Sequence, residues 1–546
     1  MVNTIYPIPS ESLNSPESQI DQERVIAAFD LGTNSIHMVI VKIDPSLPAF
    51  NIVAREKDTV RLGDRDPKTG FLTLEAMERA MSTLQRGQEL ARSFDAEEII
   101  AVATSAVREA PNGREFLKTV REELGLTINL ISGQEEARRI YLGVLSAMEF
   151  HEKPHVIIDI GGGSTELILG NGQEPRSLSS TKVGAVRLAQ EYVTTDPISN
   201  QELEFLRAYI RGSMERPVEE LKAQLTPEET ISLVGTSGTI ECLATIHAKE
   251  KLNTNPNPLQ GYGFTIKELD NIIKLLASLD VKKRADLPGM SGRRAEIIIP
   301  GAMILLETMK MLEVDSITIC ERALREGVIV NWMLNHGLIE DRLRYQSSVR
   351  DRSVIHIAQK YNVDLNYSQQ VANFALSIFD QTQGELHHWG SRERELLWVA
   401  AILHNCGFYI SHAAHHKHSY YLIRHAELLG FTENELEIIA NIARYHRKSK
   451  PKKKHENYQN LPDKTARKLV SEVSAILRLA VALDRRQIGA ISSVYCHYKQ
   501  EKKELYLELI PKDNNDDCAL ELWNLEHKKV IFENEYGVKV IPHLSL

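Results

Sequence analysis

The sequence predicts an α/β protein built from two related lobes, followed by an all-α domain and a small β-rich cap. Three observations carry this. An Asp-x-Gly-x-x-Ser turn between two β-rich runs occurs twice, at Asp30 and at Asp159. Beyond Asp341 the apolar residues recur at helical spacing, and after Ile491 polar and apolar residues alternate. A chain of 546 residues also exceeds what one hydrophobic core holds, so three to four domains are expected. The boundaries read as a flexible tail over 1–23, lobes over 24–145 and 146–336, a helical domain over 337–490 and a cap over 491–546.

In the first lobe Val25–Phe29 reads as a strand, Asp30-Leu31-Gly32-Thr33-Asn34-Ser35 as a turn, and Ile36–Val41 as a second strand. In the second, Val156–Ile158 leads into Asp159-Ile160-Gly161-Gly162-Gly163-Ser164, and Thr165-Glu166-Leu167-Ile168-Leu169 follows. Glycine admits close approach of backbone to a phosphate, while turn amides and the serine hydroxyl donate to its oxygens. The aspartate repels phosphate directly, but it can hold a divalent cation that bridges to it, or orient a water. One such hairpin reads equally well as an ordinary tight turn. Two at a domain-sized interval suggest two lobes serving one ligand. A third turn, Gly235-Thr236-Ser237-Gly238-Thr239, precedes a helix-like run over Ile240–Ala248. It fits an anion-binding helix start or a plain capped connection.

The helical runs are Ser368–Phe379, Arg392–His404, Glu433–Tyr445 and Thr465–Leu483. Eight histidines fall between His387 and His425, among them His412, His415, His416 and His418. No Asp or Cys shares their spacing, so a metal site is the less natural reading; some of these imidazoles could donate to an anionic ligand. Arg447, Lys448, Lys450, Lys452, Lys453 and Lys454 crowd one loop. A solvated loop is the ordinary reading, against which stands a positive track for a long polyanion.

The net charge of −9 argues against a chain built to coat nucleic acid. The most apolar stretch, Ile297–Leu306, is far short of the ~20 residues a membrane span needs, so a soluble protein is expected. Five scattered cysteines with no Cys-x-x-Cys fit a reducing compartment, hence the cytoplasm.

The ordered set DLGTNSIHMVI, ATSAVREA, ISGQEEARRIYLGV, IDIGGGSTEL, GTSGT and ALREGVI resembles the exopolyphosphatase and guanosine pentaphosphate phosphohydrolase (Ppx/GppA) family, within the actin, sugar kinase and Hsp70 superfamily. The resemblance is strong over residues 24–336. It implies two actin-like (ribonuclease H-like) lobes facing each other across a cleft. Its first phosphate loop falls on Asp30, Gly32, Asn34 and Ser35, and its second on Asp159, Gly161, Gly162, Ser164 and Thr165. Gly235, Thr236, Ser237 and Gly238 form the third turn, and Arg187 of VGAVRL is a weaker phosphate-contact candidate. Asp159 and Glu166 match the metal-associated acids, with Mg2+ or another hard divalent cation as cofactor. Arg108 matches a phosphate-contacting arginine, and Glu136 the residue that activates the attacking water. The residues alone leave Glu135 and Glu136 unseparated, and Arg138 and Arg139 read as ion-pair residues.

WVAAILHN, YHRK and LRLAVALDRR further resemble an HD-type metal phosphohydrolase domain, with its ligand set broken. The His-Asp doublet is His404-Asn405, the upstream histidine position holds Tyr367, and the last aspartate position holds Val481. A catalytically inert helical domain kept for binding and assembly is therefore expected. The implied activity is Mg-dependent release of orthophosphate from inorganic polyphosphate, or from guanosine pentaphosphate (pppGpp), by a homodimer; ppGpp is a further ligand. An ATP-dependent kinase or chaperone, or a non-catalytic alarmone sensor, are the competing classes.

Overall fold

The structure is a computed structural model that describes residues 23–45, 49–151, 153–253, 256–290, 292–339, 349–426, 428 and 431–545. All of the expected tail but Glu23 lies outside these residues. The described chain divides into two compact units, one of residues 23–142 with 324–339, the other of 143–323 with 349–545.

The first unit is built on five strands: β1 (Arg24–Leu31), β2 (Ile36–Asp44), β3 (Ala49–Asp58), β4 (Glu98–Ala103) and β5 (Ile128–Leu130). Their order is β3-β2-β1-β4-β5. β1 and β2 form the first predicted hairpin, while β4 joins β1 in parallel. The β1 run Ile26–Phe29 is wholly buried, as a strand covered on both faces must be. The Leu74–Ser93 helix is capped by Thr73, and its Ala80, Leu84 and Ala91 enter the core with Phe29, Met38 and Phe116. The Leu324–Asn335 helix, placed by the sequence with the second lobe, joins this unit. Its Trp332 donates to Glu98 at 2.8 Å and lies under Arg24, while Asn331 accepts from Arg138.

The second unit holds β6 (His155–Ile160), β7 (Thr165–Gly170), β8 (Ser177–Thr181), β9 (Ser232–Thr236), β10 (Gly263–Thr265) and β11 (Ser316–Ile319). Their order is β10-β11-β9-β6-β7-β8. β6 and β7 form the second hairpin, with β9 parallel to β6. The Asn200–Lys222 helix starts in a capping box of Ser199 and Glu202, and the Ile298–Leu312 helix is buried along most of its length. Both cover this sheet over a core that includes Val156, Leu167, Met214 and Leu306.

The same unit continues into helices Val349–Lys360, Leu365–Thr382, Ser391–Leu403, Glu433–Arg444 and Lys464–Ala482, close to the predicted runs. A sheet ordered β12 (Ile491–Lys499), β13 (Glu504–Pro511), β14 (Lys539–Leu544) follows. An Ala519–Tyr536 helix, not foreseen from the sequence, connects β13 to β14. Leu505, Leu507, Phe532 and Val540 share one core with Phe374, Leu397 and Leu477, so cap and helices bury each other. Among the described residues no helix is long and apolar enough to cross a membrane.

Candidate functional site

The two hairpins use one plan. In each, the turn glycine amide donates to the serine carbonyl, Gly32 to Ser35 at 3.1 Å and Gly161 to Ser164 at 2.9 Å. In each, the aspartate ends a strand and faces the residue seven positions on: Asp30 pairs with His37, Asp159 with Glu166. Directly paired residues share a face of a sheet, so the second hairpin sets two carboxylates side by side where the first sets one carboxylate and one imidazole. Across the second sheet the row reads Thr236, Asp159, Glu166, Ser180. The Ser180 hydroxyl donates to Glu166 at 2.7 Å, and Thr236 donates to the Arg322 carbonyl. Asp159 and Glu166 are both buried.

Each loop is also held from behind. The Thr33 and Asn34 carbonyls accept from the amides of Gly63 and Arg61, and a Cβ on Gly63 would lie 2.4 Å from the Thr33 side chain. In the second loop, Thr165 donates to the Val183 carbonyl at 2.6 Å and Arg187 Nε to the Gly163 carbonyl at 3.0 Å. Arg187 Nη1 lies 3.8 Å from Glu191.

In the first unit Thr33 and Ser105 share a hydrogen bond at 3.0 Å, which ties the turn to the start of ATSAVR. Arg108, from that segment, donates through Nη1 to the Ile131 carbonyl at 2.8 Å and to Glu136 at 3.1 Å. Glu136 is only 7% exposed, in the first turn of the Gly133–Leu145 helix. Its neighbour differs: Glu135 is clamped by Arg138 and Arg139, and the hydrogen bond from Arg138 leads in pulling its carboxyl down to about 2. Burial pushes Asp30 up to about 6, against the pull of Arg325 and with Glu326 adding to the rise.

In the third turn, Gly235 lies inside β9 with Ile317 and Ile240 where its Cβ would be. Ser237 bends with φ 89°, and the Gly238–Leu252 helix starts next. The Arg294 guanidinium occupies the space of a Cβ on Gly238, which puts a cation against this helix start. The sequence reading did not find Arg294, because only the fold brings it to the turn.

The helical domain gathers His404, His415, His416 and His446, all nearly or fully buried. His404 and His446 face the carbonyls of Ala401 and Ala443 through Nδ1, and the Nε2 atoms of His415 and His446 lie 3.4 Å apart. Tyr367 packs 5.7 Å from the His404 ring. Among the described residues, no group of three or more His, Cys, Asp or Glu is arranged to hold a metal. The loop after the Glu433–Arg444 helix exposes Lys448, Lys450, Lys452, Lys453 and Lys454. Buried Arg478 shapes it by donating to the carbonyls of Tyr445, Lys448 and Ser449. Burial, then Arg478, Arg447, Arg485 and Lys448, lower the Lys528 pKa, so this side of the domain is more basic than the run alone suggested.

Two sheet-based units, each presenting a glycine hairpin at the end of its first strand, mark an actin-like α/β protein. Residues 39–336 match the Ppx/GppA phosphatase family and residues 349–529 match domain III of that family. The chain belongs to the Ppx/GppA phosphatase family. It is 31% identical over 476 residues to a guanosine-5'-triphosphate,3'-diphosphate pyrophosphatase of Vibrio parahaemolyticus, covering 86% of this chain and 89% of the relative. A protein of the same name from Vibrio vulnificus is 31% identical over 92% of this chain and 96% of its own. Among solved structures, an exopolyphosphatase from Cytophaga hutchinsonii aligns with TM-score 0.53 and 26% identity, over 57% of this chain and 98% of its own. The Aquifex aeolicus family member aligns with TM-score 0.50 and 26% identity, over 58% and 99%.

Proposed function

We propose that the chain is an Mg-dependent exopolyphosphatase of the cytoplasm, releasing orthophosphate from the end of inorganic polyphosphate. The buried Asp159–Glu166 pair carries the hydrolytic reading. Two hard carboxylate oxygen donors on one sheet face suit Mg2+, which binds through one or two carboxylates and otherwise keeps water and substrate oxygens. When bound there, the ion would neutralise charge on the terminal phosphate. Glu136 accepts the proton of the attacking water, and Arg108 holds that carboxylate in place while offering charge to the phosphate. The turns that carry Gly32, Asn34 and Ser35, and Gly161, Gly162, Ser164 and Thr165, receive phosphate oxygens on the donors that their Gly-to-Ser closures and the Thr165–Val183 bond leave over, and the third turn with Arg294 offers a further anion contact. The exposed lysine loop supports a long polyanion as substrate, and a homodimer is the assembly this reading implies.

The names of the relatives from Vibrio favour a second reading, removal of a terminal phosphate from guanosine pentaphosphate. Phosphate release by purified protein with magnesium, compared between long polyphosphate and guanosine pentaphosphate, separates the two. Faster release from polyphosphate supports the first reading, and faster release from the nucleotide the second. No release from either contradicts both.

A further inference from the structure

We infer that Gly184 and Arg187 are positioning residues for the second glycine loop, turning its peptide planes so that three successive amides face the substrate phosphate. This rests on the reading above that the loop meets phosphate. The Ala185–Tyr192 helix begins directly behind the loop, and its first amides are spent on loop carbonyls. Ala185 donates to Gly161 at 3.0 Å, and Val186 and Arg187 donate to Gly162 at 2.9 and 3.1 Å. The Arg187 side chain completes the set through Nε on the Gly163 carbonyl. All three carbonyls of Gly161-Gly162-Gly163 are therefore held from one side.

A trans peptide is planar, with its carbonyl and its amide pointing in opposite directions. Fixing the carbonyls of Gly161, Gly162 and Gly163 thus aims the amides of Gly162, Gly163 and Ser164 the other way. Among the described residues, none of these three amides donates a hydrogen bond to protein. Gly162 is half-buried and Gly163 and Ser164 are buried; amides withdrawn from water seldom go unused, and a row of outward amides is a concave anion receptor. The helix start here acts on the backbone of the receptor and not on the anion.

Two glycines remove the slack. Gly184 has φ −140°, extended backbone that any residue adopts, so its need is for space alone. A Cβ there would lie 2.4 Å from the Gly162 carbonyl oxygen and 2.5 Å from the carbonyl carbons of Gly162 and Gly163. On the far side Gly301 lets the Ile298–Leu312 helix close on Ala185 and Thr239, where a Cβ would lie 3.3 and 2.5 Å from their side chains. The same contact ties the second loop to the third turn.

The test compares two variants of Arg187. Glutamine carries Nε2 the same number of bonds from the backbone as arginine carries Nε, so Arg187→Gln keeps the donor and removes the charge. Arg187→Met keeps the length and removes both. Positioning predicts that kcat falls about tenfold in Arg187→Met with KM within about twofold, and that Arg187→Gln stays within about threefold of the parent. With glycine-selective 15N labelling, the Gly161–Gly163 signals shift in Arg187→Met and hold in Arg187→Gln. Gly184→Ala, which crowds backbone against backbone, shifts the same signals. Equal damage in Gln and Met with a raised, salt-sensitive KM would overturn the inference and make Arg187 a direct charge on substrate. Unmoved glycine signals in Arg187→Met would also overturn it. Were the parent to release no phosphate, the hydrolase reading would fail while the glycine signals still decided the positioning role.

Discussion

Glu135 and Glu136 follow one another at the start of one helix, yet their surroundings differ. Glu135 is neutralised by two arginines of its own helix, whereas Glu136 is buried and meets the Arg108 guanidinium of ATSAVR. Nothing local in GQEEARR separates them; resemblance alone had pointed to Glu136. The account predicts a fall in phosphate release of about 10²- to 10⁴-fold for Glu136→Gln, and little change for Glu135→Gln, read by steady-state assay. Asp30 allows a stability test. Its folded pKa lies above the unfolded one, so the folded state binds the extra proton and this group's contribution is lost as pH rises through about 6. Asp30→Asn therefore raises stability by about 3 kcal/mol at pH 8 and changes little at pH 4, measured by chemical denaturation. Gly184 and Arg294 were illegible in the sequence for one reason. Their importance is a distance to a backbone segment far along the chain, and VGAVRL or SGRRAE carry no mark of it.

At the scale of elements, strands and turns were the most legible. The hairpins showed because glycine and aspartate break two apolar runs at the same spacing twice. The Ala519–Tyr536 helix stayed hidden because Leu520, Trp523 and Val530 lie on its exposed side and blur the apolar stripe that reveals a helix. The histidine segments of the helical domain showed as a count, but their convergence did not, since His404 and His446 follow the ends of separate helices. Burial, followed for His415 and His416 by Arg447, holds both near 4 and His404 also near 4. Depressed histidines stabilise the fold above the unfolded value of about 6.5, and that support is lost as pH falls from there toward 4. Amide exchange over residues 404–446, corrected for intrinsic rates, should therefore rise markedly between pH 7 and pH 5. His416→Gln should reduce that rise. The lysine loop gives the other element-scale expectation. Replacing Lys452, Lys453 and Lys454 by serine raises KM for long polyphosphate about five- to tenfold and weakens its salt dependence. KM for a substrate of only a few phosphates should change by less than about twofold.

For the whole molecule, duplication with divergence is the main lesson. Each unit repeats the hairpin, its Gly-to-Ser closure and its glycine-backed support, but only the second pairs two acids, while the first pairs aspartate with histidine. The sequence revealed the repeat because periodic motifs survive in one dimension. Which helix closes which sheet, as with Leu324–Asn335, is decided by packing and left no trace in composition. A net charge of −9 with a concentrated basic loop gives a chain whose overall field repels polyanions and whose one lysine-rich loop carries the opposite sign. The central claim is that water, activated by Glu136, attacks a terminal phosphate. Phosphate release in 18O-enriched water, with Glu136→Gln alongside, tests it most directly. The account predicts one solvent oxygen in each orthophosphate released and a rate at least about a hundredfold lower in the variant. Release without solvent oxygen, or a variant as fast as the parent, would contradict it.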